Sequence, residues 1–95
     1  MDIKHIEKGG RGAFILKGDD GERVAEMTYV TTGTTGFIID HTAVSDDLRG
    51  QHVGEQLLAE AVKYAREKGL KIFATCPFAL AKLRANAEYH DVFAG

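Results

Sequence analysis

Hydrophobic and polar residues change their spacing about halfway along the chain. In the first half, short runs of apolar and β-branched residues are separated by turns rich in Gly, Asp and Thr, a pattern typical of strands. From about residue 53 onward, apolar residues recur three and four positions apart, which is typical of a helix with one buried stripe. The pattern therefore predicts strands first and a helical region after them.

The first half predicts an antiparallel meander of three or four strands. A Gly/Asp cluster at 18–21 suits a hairpin turn, because both residue types tolerate the positive φ that such turns need. A second break, at 32–36, consists of Thr and Gly alone. The strands predicted on either side of these breaks are residues 3–6 at the edge, 13–16, 24–31 and 37–44.

The second half predicts a helix, a strand and another helix. The first helix begins near Val53, and Gly69 is placed to end it in the left-handed conformation. Residues 70–76 form the strand, and Pro77 suits the first turn of a helix that continues to about Arg84. The tail from residue 86 has no clear pattern.

This order of elements predicts the fold class. A strand–helix–strand unit forms a right-handed crossover, which makes segments 37–44 and 70–76 parallel. Their carboxyl ends, at Val44 and Cys76, then share the edge where open α/β sheets bind ligands. We expect a single α/β domain over residues 1–95, with a mixed twisted sheet that combines an antiparallel meander and one parallel β-α-β pair, and two main helices.

Composition and charge narrow the classes of function. The 95 residues are 44% hydrophobic and 27% charged, which is typical of a globular domain. A net charge of −2 argues against nucleic acid as a partner, and no apolar stretch is long enough for a membrane helix. The one cysteine, Cys76, excludes an internal disulfide, and no Cys/His cluster has metal-binding spacing. The expectation is a cytoplasmic protein with no metal and no membrane partner.

A loop between a strand and a helix carries the first sign of chemistry. Arg49, Gly50 and Gly54 lie where the first helix opens, at the positive end of the helix dipole and beside its unpaired amides. Glycine lets a ligand approach the backbone closely, so the loop could bind phosphate. The alternative is that Gly50 is an ordinary loop glycine and Gly54 a packing contact. The spacing matches neither a dinucleotide nor an NTP fingerprint.

Here the sequence resembles a known family. Arg49-Gly50-Gln51-His52-Val53-Gly54, after a strand and before a helix, resembles the acetyl-CoA loop of the GNAT superfamily of N-acetyltransferases, whose pattern is Arg/Gln-x-x-Gly-x-Gly/Ala. Thr75-Cys76-Pro77-Phe78 resembles a very short single-domain branch of that superfamily. The resemblance covers about residues 24–84. His52 departs from the pattern, since it stands at the first glycine, and its side chain must turn away from a pyrophosphate or pair with it.

The resemblance implies an acetyl-CoA-dependent N-acetyltransferase, an enzyme that moves an acetyl group to an amine of a peptide, a protein or a small molecule. The alternative is a module that binds coenzyme A without turnover and acts as a sensor or interaction domain. The loop amides would hold the pyrophosphate, the strand end would pair with the pantetheine arm, and the second helix would lie near the adenosine. The implied binding residues are Ala43, Val44, Arg49, Gly50, Gln51, His52, Val53, Gly54, Phe78, Lys82 and Asn86.

Candidate catalytic residues are few. Acetyl transfer needs a proton acceptor for the amine, and His41 on the central strand suits that role better than Asp40. Strand alternation predicts that these two residues point to opposite faces, so that only one faces the site. Cys76 precedes Pro77 at a helix start, where the dipole favours a thiolate. It would act as an acyl-carrying nucleophile or as the acid for the departing thiolate, or it is a buried packing residue.

The remaining histidines and tyrosines are interpreted as structural. His5 and His90 lie near the two ends of the chain, where we expect solvated side chains. Tyr64 falls close to the apolar stripe of the first helix, and Tyr89 belongs to the tail. We expect both tyrosines to pack in the core.

Overall fold

The computed structural model describes residues 2–94. Its sheet has five strands in the order in which they follow along the chain, and the last pair is parallel while the others are antiparallel. This confirms the predicted fold class. The elements are β1 (Lys4–Lys8), β2 (Arg11–Lys17), β3 (Arg23–Thr32), β4 (Gly36–Val44), α1 (Val53–Lys68), β5 (Lys71–Ala74) and α2 (Pro77–Ala85), with short 3-10 turns at Asp46–Leu48 and Ala87–Tyr89.

The two helices begin and end close to the predicted positions. α1 ends at Gly69, which has a φ of 68° and donates its amide to the Ala65 carbonyl. Pro77 occupies the first turn of α2, and Cys76 is its N-cap residue. The apolar stripe of α1 is fully buried, and its members are Val53, Leu57, Leu58, Ala61, Val62 and Ala65.

The tail, whose sequence has no clear pattern, adds to the sheet beside β5. Phe93 forms a parallel bridge with Ile72, and the Ala94 amide donates to the Ile72 carbonyl at 2.9 Å. The Arg66 guanidinium on α1 binds both carboxylate oxygens of Asp91, at 2.9 and 3.0 Å. These hydrogen bonds lower the pKa of Asp91 below its usual value.

The sheet has two unlike faces. Both helices pack on one of them, here called the helix face, and the two helices and this face form one core. Its central side chains are buried, and they are Phe14, Met27, Tyr29, Phe37, Ile39 and Ile72. No helix of residues 2–94 covers the opposite face, here called the open face, which carries Ala13, Ile15, Thr28, Ile38 and Phe73.

A β-bulge in β4 sets which side chains belong to each face. Thr28 of β3 pairs with His41, but the next residue of β3, Tyr29, pairs with Ile39, so Asp40 is the extra residue. Asp40 accepts a hydrogen bond from Thr28 Oγ1 at 2.6 Å on the open face. Since paired residues share a face, His41 lies there as well. The prediction that Asp40 and His41 point to opposite faces is therefore wrong, because the bulge interrupts strand alternation.

His5 is exposed, as predicted, yet its side chain also packs against the core. Its ring stacks on Phe14 with centroids 4.4 Å apart, meets the edge of Tyr64 at 4.4 Å, and hydrogen-bonds to Tyr29 Oη at 2.5 Å. Desolvation lowers the pKa of His5, against a smaller opposing effect of Glu7. Burial likewise raises the pKa of Tyr29. His5 therefore holds β1 against the aromatic part of the core, in which Tyr64 packs as predicted.

Candidate active site

The site begins where β4 and β5 part. Pairing between the two strands stops at Ile39 and Ala74. The Ile39 carbonyl then accepts the amides of Thr75 and Cys76, at 3.0 and 3.2 Å, and the chain turns away into α2. β4 continues to Val44 with pairing to β3 alone. A gap therefore opens between the carboxyl ends of two parallel strands, the place that the sequence predicted for a ligand.

A cavity of about 380 Å³ lies next to this gap. Three parts of the chain meet around it: the end of β4, the loop that leads into α1, and the first turn of α2. The lining residues are Thr42, Val44, Leu48, Arg49, Gly50, His52, Val53, Gly54, Glu55 and Phe78. Six of the residues that the sequence singled out between Val44 and Gly54 are among them; Gln51, in the same loop, does not line the cavity.

Unpaired backbone amides give the cavity its chemical character. Within residues 2–94, five amides at its rim find no hydrogen-bond acceptor, those of Gly50, His52, Val53, Gly54 and Glu55. The two other amides of the predicted cradle, of Arg49 and Gln51, donate to the carbonyls of Asp46 and Leu48 at 3.2 Å each. The free donors lie at the N-terminus of a 16-residue helix, where the dipole attracts negative charge. The rim therefore suits an anion such as a phosphate.

The backbone conformation of His52 shows why the family pattern has a glycine at this position. Its φ is 57°, and it is the one residue other than glycine with a positive φ in the described part of the chain. Glycine adopts that conformation without strain, whereas histidine does so at a cost. The His52 ring pairs with Glu55 through Nδ1 and Oε2 at 2.5 Å. Its amide thus keeps the position that a glycine would give it.

Gly54 serves as a packing contact as well as a lining residue. A Cβ atom at this position would lie 2.7 Å from Cζ of Phe78, so only glycine lets the Phe78 ring rest on the first turn of α1. Phe78 in turn lines the cavity, and its contact with a ligand stays a prediction. The contact with Phe78 explains this glycine by packing, whereas its approach to a phosphate stays a prediction.

Lys82 and Asn86 do not line the cavity. Lys82 lies one turn further along α2, with its Nζ atom 5.9 Å from the centre of the Phe78 ring. Asn86 ends α2 and donates from Nδ2 to the Lys82 carbonyl at 2.8 Å. The Arg49 side chain is exposed and pairs with Asp46 at 3.1 Å. Contacts of Lys82 and Asn86 with a ligand stay a prediction.

Cys76 and His41 flank the gap from different sides. Cys76 is buried on the helix face, and its Sγ donates to Thr42 Oγ1 at 3.3 Å. His41 is exposed on the open face, together with Ala43, which lines a smaller cavity of about 270 Å³ near Arg23 and Glu26. Sequence reasoning missed Thr42, because alternation without the bulge places it on the open face.

Two kinds of feature are absent from the part of the chain that the structure describes. No group of three or more His, Cys, Asp or Glu side chains is placed to hold a metal ion. No helix is both long and apolar enough to cross a membrane. The cavity at the gap is therefore characterised by backbone amides rather than by metal ligands.

Solved structures share this fold. The solution structure of a GCN5-like protein from Staphylococcus aureus is 39% identical, with a TM-score of 0.76, over 97% of this chain and 88% of that one. Two longer proteins are similar in fold alone, at 21% and 20% identity and TM-scores of 0.64 and 0.62. They are the ribosomal-protein-alanine N-acetyltransferase of Brucella melitensis and a GNAT family acetyltransferase of Elizabethkingia anophelis with acetyl-CoA bound.

The shares of the chains covered show how these proteins differ in size. The alignments cover 93% and 84% of this chain, but 64% and 53% of the Brucella and Elizabethkingia chains. The search of curated proteins gives no match. The model of the GCN5-related N-acetyltransferase family matches residues 13–92, from β2 to the tail, and so includes the gap and the whole loop. The chain therefore belongs to the GCN5-related N-acetyltransferase family.

Proposed function

We propose that this protein transfers the acetyl group of acetyl-CoA to an amine. The observation that carries the proposal is the set of free amides at the rim of the cavity, those of Gly50 and of residues 52–55, beside the gap between β4 and β5. The pyrophosphate of coenzyme A binds these amides. Phe78 and Leu48 supply apolar contacts in the same cavity. The acetyl-CoA-bound neighbour from Elizabethkingia supports the choice of ligand through its shared fold.

The remainder of the ligand follows from the edge of β4. Beyond Ile39 this edge has lost β5 as a partner, so an extended chain with amide groups can add to it like a strand. The pantetheine arm of coenzyme A has that form and runs along Thr42 to Val44. The thioester then lies in the gap, near the Thr42 hydroxyl and the Cys76 thiol, which are themselves hydrogen-bonded.

The chemical step requires two proton movements. The amine nitrogen attacks the thioester carbonyl carbon, the carbon–sulfur bond breaks, and coenzyme A leaves as a thiolate that takes up a proton. His41, exposed on the open face, accepts the proton that the amine loses and passes it to solvent. Cys76 either donates a proton to the thiolate or first accepts the acetyl group itself, and the second route is tested separately below.

The site is tested by a pair of variants at Gly50. Gly50 has a φ of 84° and open space around its Cβ position, and Asp and Asn both tolerate this conformation. Gly50→Asp adds a negative charge at the rim, whereas Gly50→Asn adds a neutral group of the same size. We expect calorimetry to show acetyl-CoA binding weakened at least about tenfold more by Asp than by Asn. Equal affinities of both variants and the parent would contradict a pyrophosphate at this rim.

The role of Cys76 is tested by intact-mass measurement. The protein is incubated with acetyl-CoA, quenched in acid and weighed. An acetyl adduct that hydroxylamine removes, and that is absent in Cys76→Ala, establishes the nucleophile. If no adduct forms and Cys76→Ala transfers acetyl groups more slowly than the parent, Cys76 acts as the acid. An unchanged rate would mean that the thiol serves only in packing.

A second candidate function is a module that binds coenzyme A without turnover. The observation that favours it is the position of Asp40 and His41, which lie on the other side of β4 from the cavity. Release of free thiol from acetyl-CoA in the presence of a panel of amines distinguishes the two functions. Binding without release for any amine would establish the module.

A further inference from the structure

One hydroxyl group stands between the buried thiol of Cys76 and the cavity at the gap. Thr42, near the end of β4, lines the cavity, whereas Cys76 is only 5% exposed and does not line it. The Cys76 thiol donates a hydrogen bond to Thr42 Oγ1 at 3.3 Å. A ligand in the cavity therefore meets the Thr42 hydroxyl, and the thiol lies behind it.

The Thr42 hydroxyl keeps its own hydrogen for a further bond. Its oxygen accepts from Cys76, and among residues 2–94 it donates to no protein acceptor. A hydroxyl group has one donor and two acceptor positions, so it can accept from one neighbour while it donates to another. Thr42 can therefore hold the Cys76 thiol and donate to a ligand in the cavity at the same time.

The other groups around the cavity that could supply a proton lie at its rim. The titratable side chains that line it are Arg49, His52 and Glu55, which belong to the loop and to the first turn of α1. None of them comes from β4 or β5, between which the gap opens. On the helix face of the gap, the hydrogen-bonded pair of Thr42 and Cys76 is thus the source of a proton.

We propose that Thr42 is a catalytic residue that relays a proton from Cys76 to the departing thiolate of coenzyme A. As the carbon–sulfur bond breaks, the Thr42 hydroxyl gives its hydrogen to the sulfur, and the Cys76 thiol gives its hydrogen to Thr42 Oγ1. The Cys76 thiolate that remains lies at the N-cap of α2, where the helix dipole stabilises negative charge. Once coenzyme A leaves, a proton from solvent returns to Cys76 by the same path.

This inference rests on the proposed acetyl transfer for its reaction, but the hydrogen bond can be tested without turnover. Cys76 is the one cysteine of the chain, so the protein has a single S–H stretching band in the infrared. Thr42→Val keeps the shape of the side chain and removes its oxygen, so the band should move to higher frequency as the thiol loses its acceptor. Thr42→Ser should leave the band near its position in the parent.

A matched control removes a hydroxyl near the opposite end of the neighbouring strand. Thr31 on β3 donates from Oγ1 to the Gly10 carbonyl at 3.0 Å, and it pairs with Phe37 at the start of β4. Thr31→Val therefore loses a hydrogen bond of its own without touching the gap. Its S–H band and its rate of acetyl transfer should equal those of the parent.

The relay itself is tested by the release of free thiol from acetyl-CoA with a panel of amines. In Thr42→Val, kcat should fall at least about tenfold while KM for acetyl-CoA is unchanged, and Thr42→Ser should restore kcat. Cys76→Ala should lower kcat as well. The double variant should lose no more than Thr42→Val alone, because both changes interrupt the same path.

Different results would overturn the relay and the proposed transfer. An unmoved S–H band in Thr42→Val would mean that the hydrogen bond is absent in solution, and the relay would be wrong even where acetyl-CoA is turned over. Thiol release by Thr42→Val at the parent rate, or an acetyl adduct on Cys76, would remove the relay and leave acetyl transfer standing. If no amine supports release by the parent, the proposed transfer fails and the relay fails with it, whatever the band shows.

Discussion

The helix face and the open face of the sheet are built from the same strands but differ in how deeply their side chains are buried. On the helix face, large side chains such as Phe37 and Tyr29 are completely buried under α1 and α2. On the open face, polar groups form links across strands, as Arg11, Asp40 and Thr28 do, and Phe73 remains exposed. Burial stabilises in proportion to apolar area removed from water, so the helix face carries most of the folding free energy.

The difference shows how a chain this short can hold a site. A single face covered by helices suffices for a core, and the other face still exposes residues such as Phe73. The gap lies between them, since β4 lines the cavity with Thr42 and Val44 from one face and presents His41 on the other. Substitutions on the two faces should therefore differ in what they change.

The largest effect on stability is expected from the helix face. Phe37→Ala removes a fully buried ring and should lower the free energy of unfolding by about 3–5 kcal/mol. Val30→Ala on the open face, where Val30 is half-buried, should cost about 1 kcal/mol or less. Urea denaturation of both variants measures the contrast. Similar losses would show that the open face is covered in solution.

A smaller effect of opposite sign is expected at His52, beside the cavity. His52→Gly relieves a left-handed backbone conformation and should raise the free energy of unfolding by about 0.5–1 kcal/mol, after allowance for the freer unfolded chain. It retains the amide, so affinity for acetyl-CoA should be kept or increased. Thermal unfolding and calorimetry test both points. A clear loss of affinity would mean that the His52 ring itself contacts the phosphates.

Charged groups on the open face should matter little for stability. Arg11→Met breaks the pair with Asp40, in which the Arg11 side chain is 62% exposed, and should cost about 0.2–1 kcal/mol. Urea denaturation measures this loss. A loss as large as that of Phe37→Ala would contradict a pair that solvent screens.

The smallest effect is a dependence of stability on pH that belongs to the helix face. Burial against Phe14 lowers the pKa of His5, so the unfolded chain binds a proton that the folded chain refuses. Stability should therefore fall as pH drops below the unfolded value of about 6.5, and the loss ends once the pH is below the folded value. His5→Phe should remove this part of the pH dependence, as followed by urea midpoints from pH 7.5 to 5. An unchanged profile would show that the His5 ring does not stay packed on Phe14.

Local patterns predicted the elements well, because alternation, helical spacing and end signals such as Gly69 and Pro77 act over short distances. They also predicted a loop at the start of α1 that could bind phosphate, and free amides lie there in the structure. They could not predict the partners of His5, since its position near the end of the chain gives no sign of Phe14, Tyr29 or Tyr64 around it. Thr42 was missed for a similar reason, because nothing in the sequence around Asp40 marks a bulge.

The bulge at Asp40 decides which side chains at the end of β4 face the cavity. Before it, odd-numbered positions of β4 such as Ile39 lie on the helix face, and after it even-numbered ones such as Thr42 do. If the same residues paired with β3 without the bulge, Thr42 and Val44 would leave the cavity and His41 would enter it, with every side chain retained. The composition of the cavity wall therefore depends on the pairing register of β4 as well as on its residues.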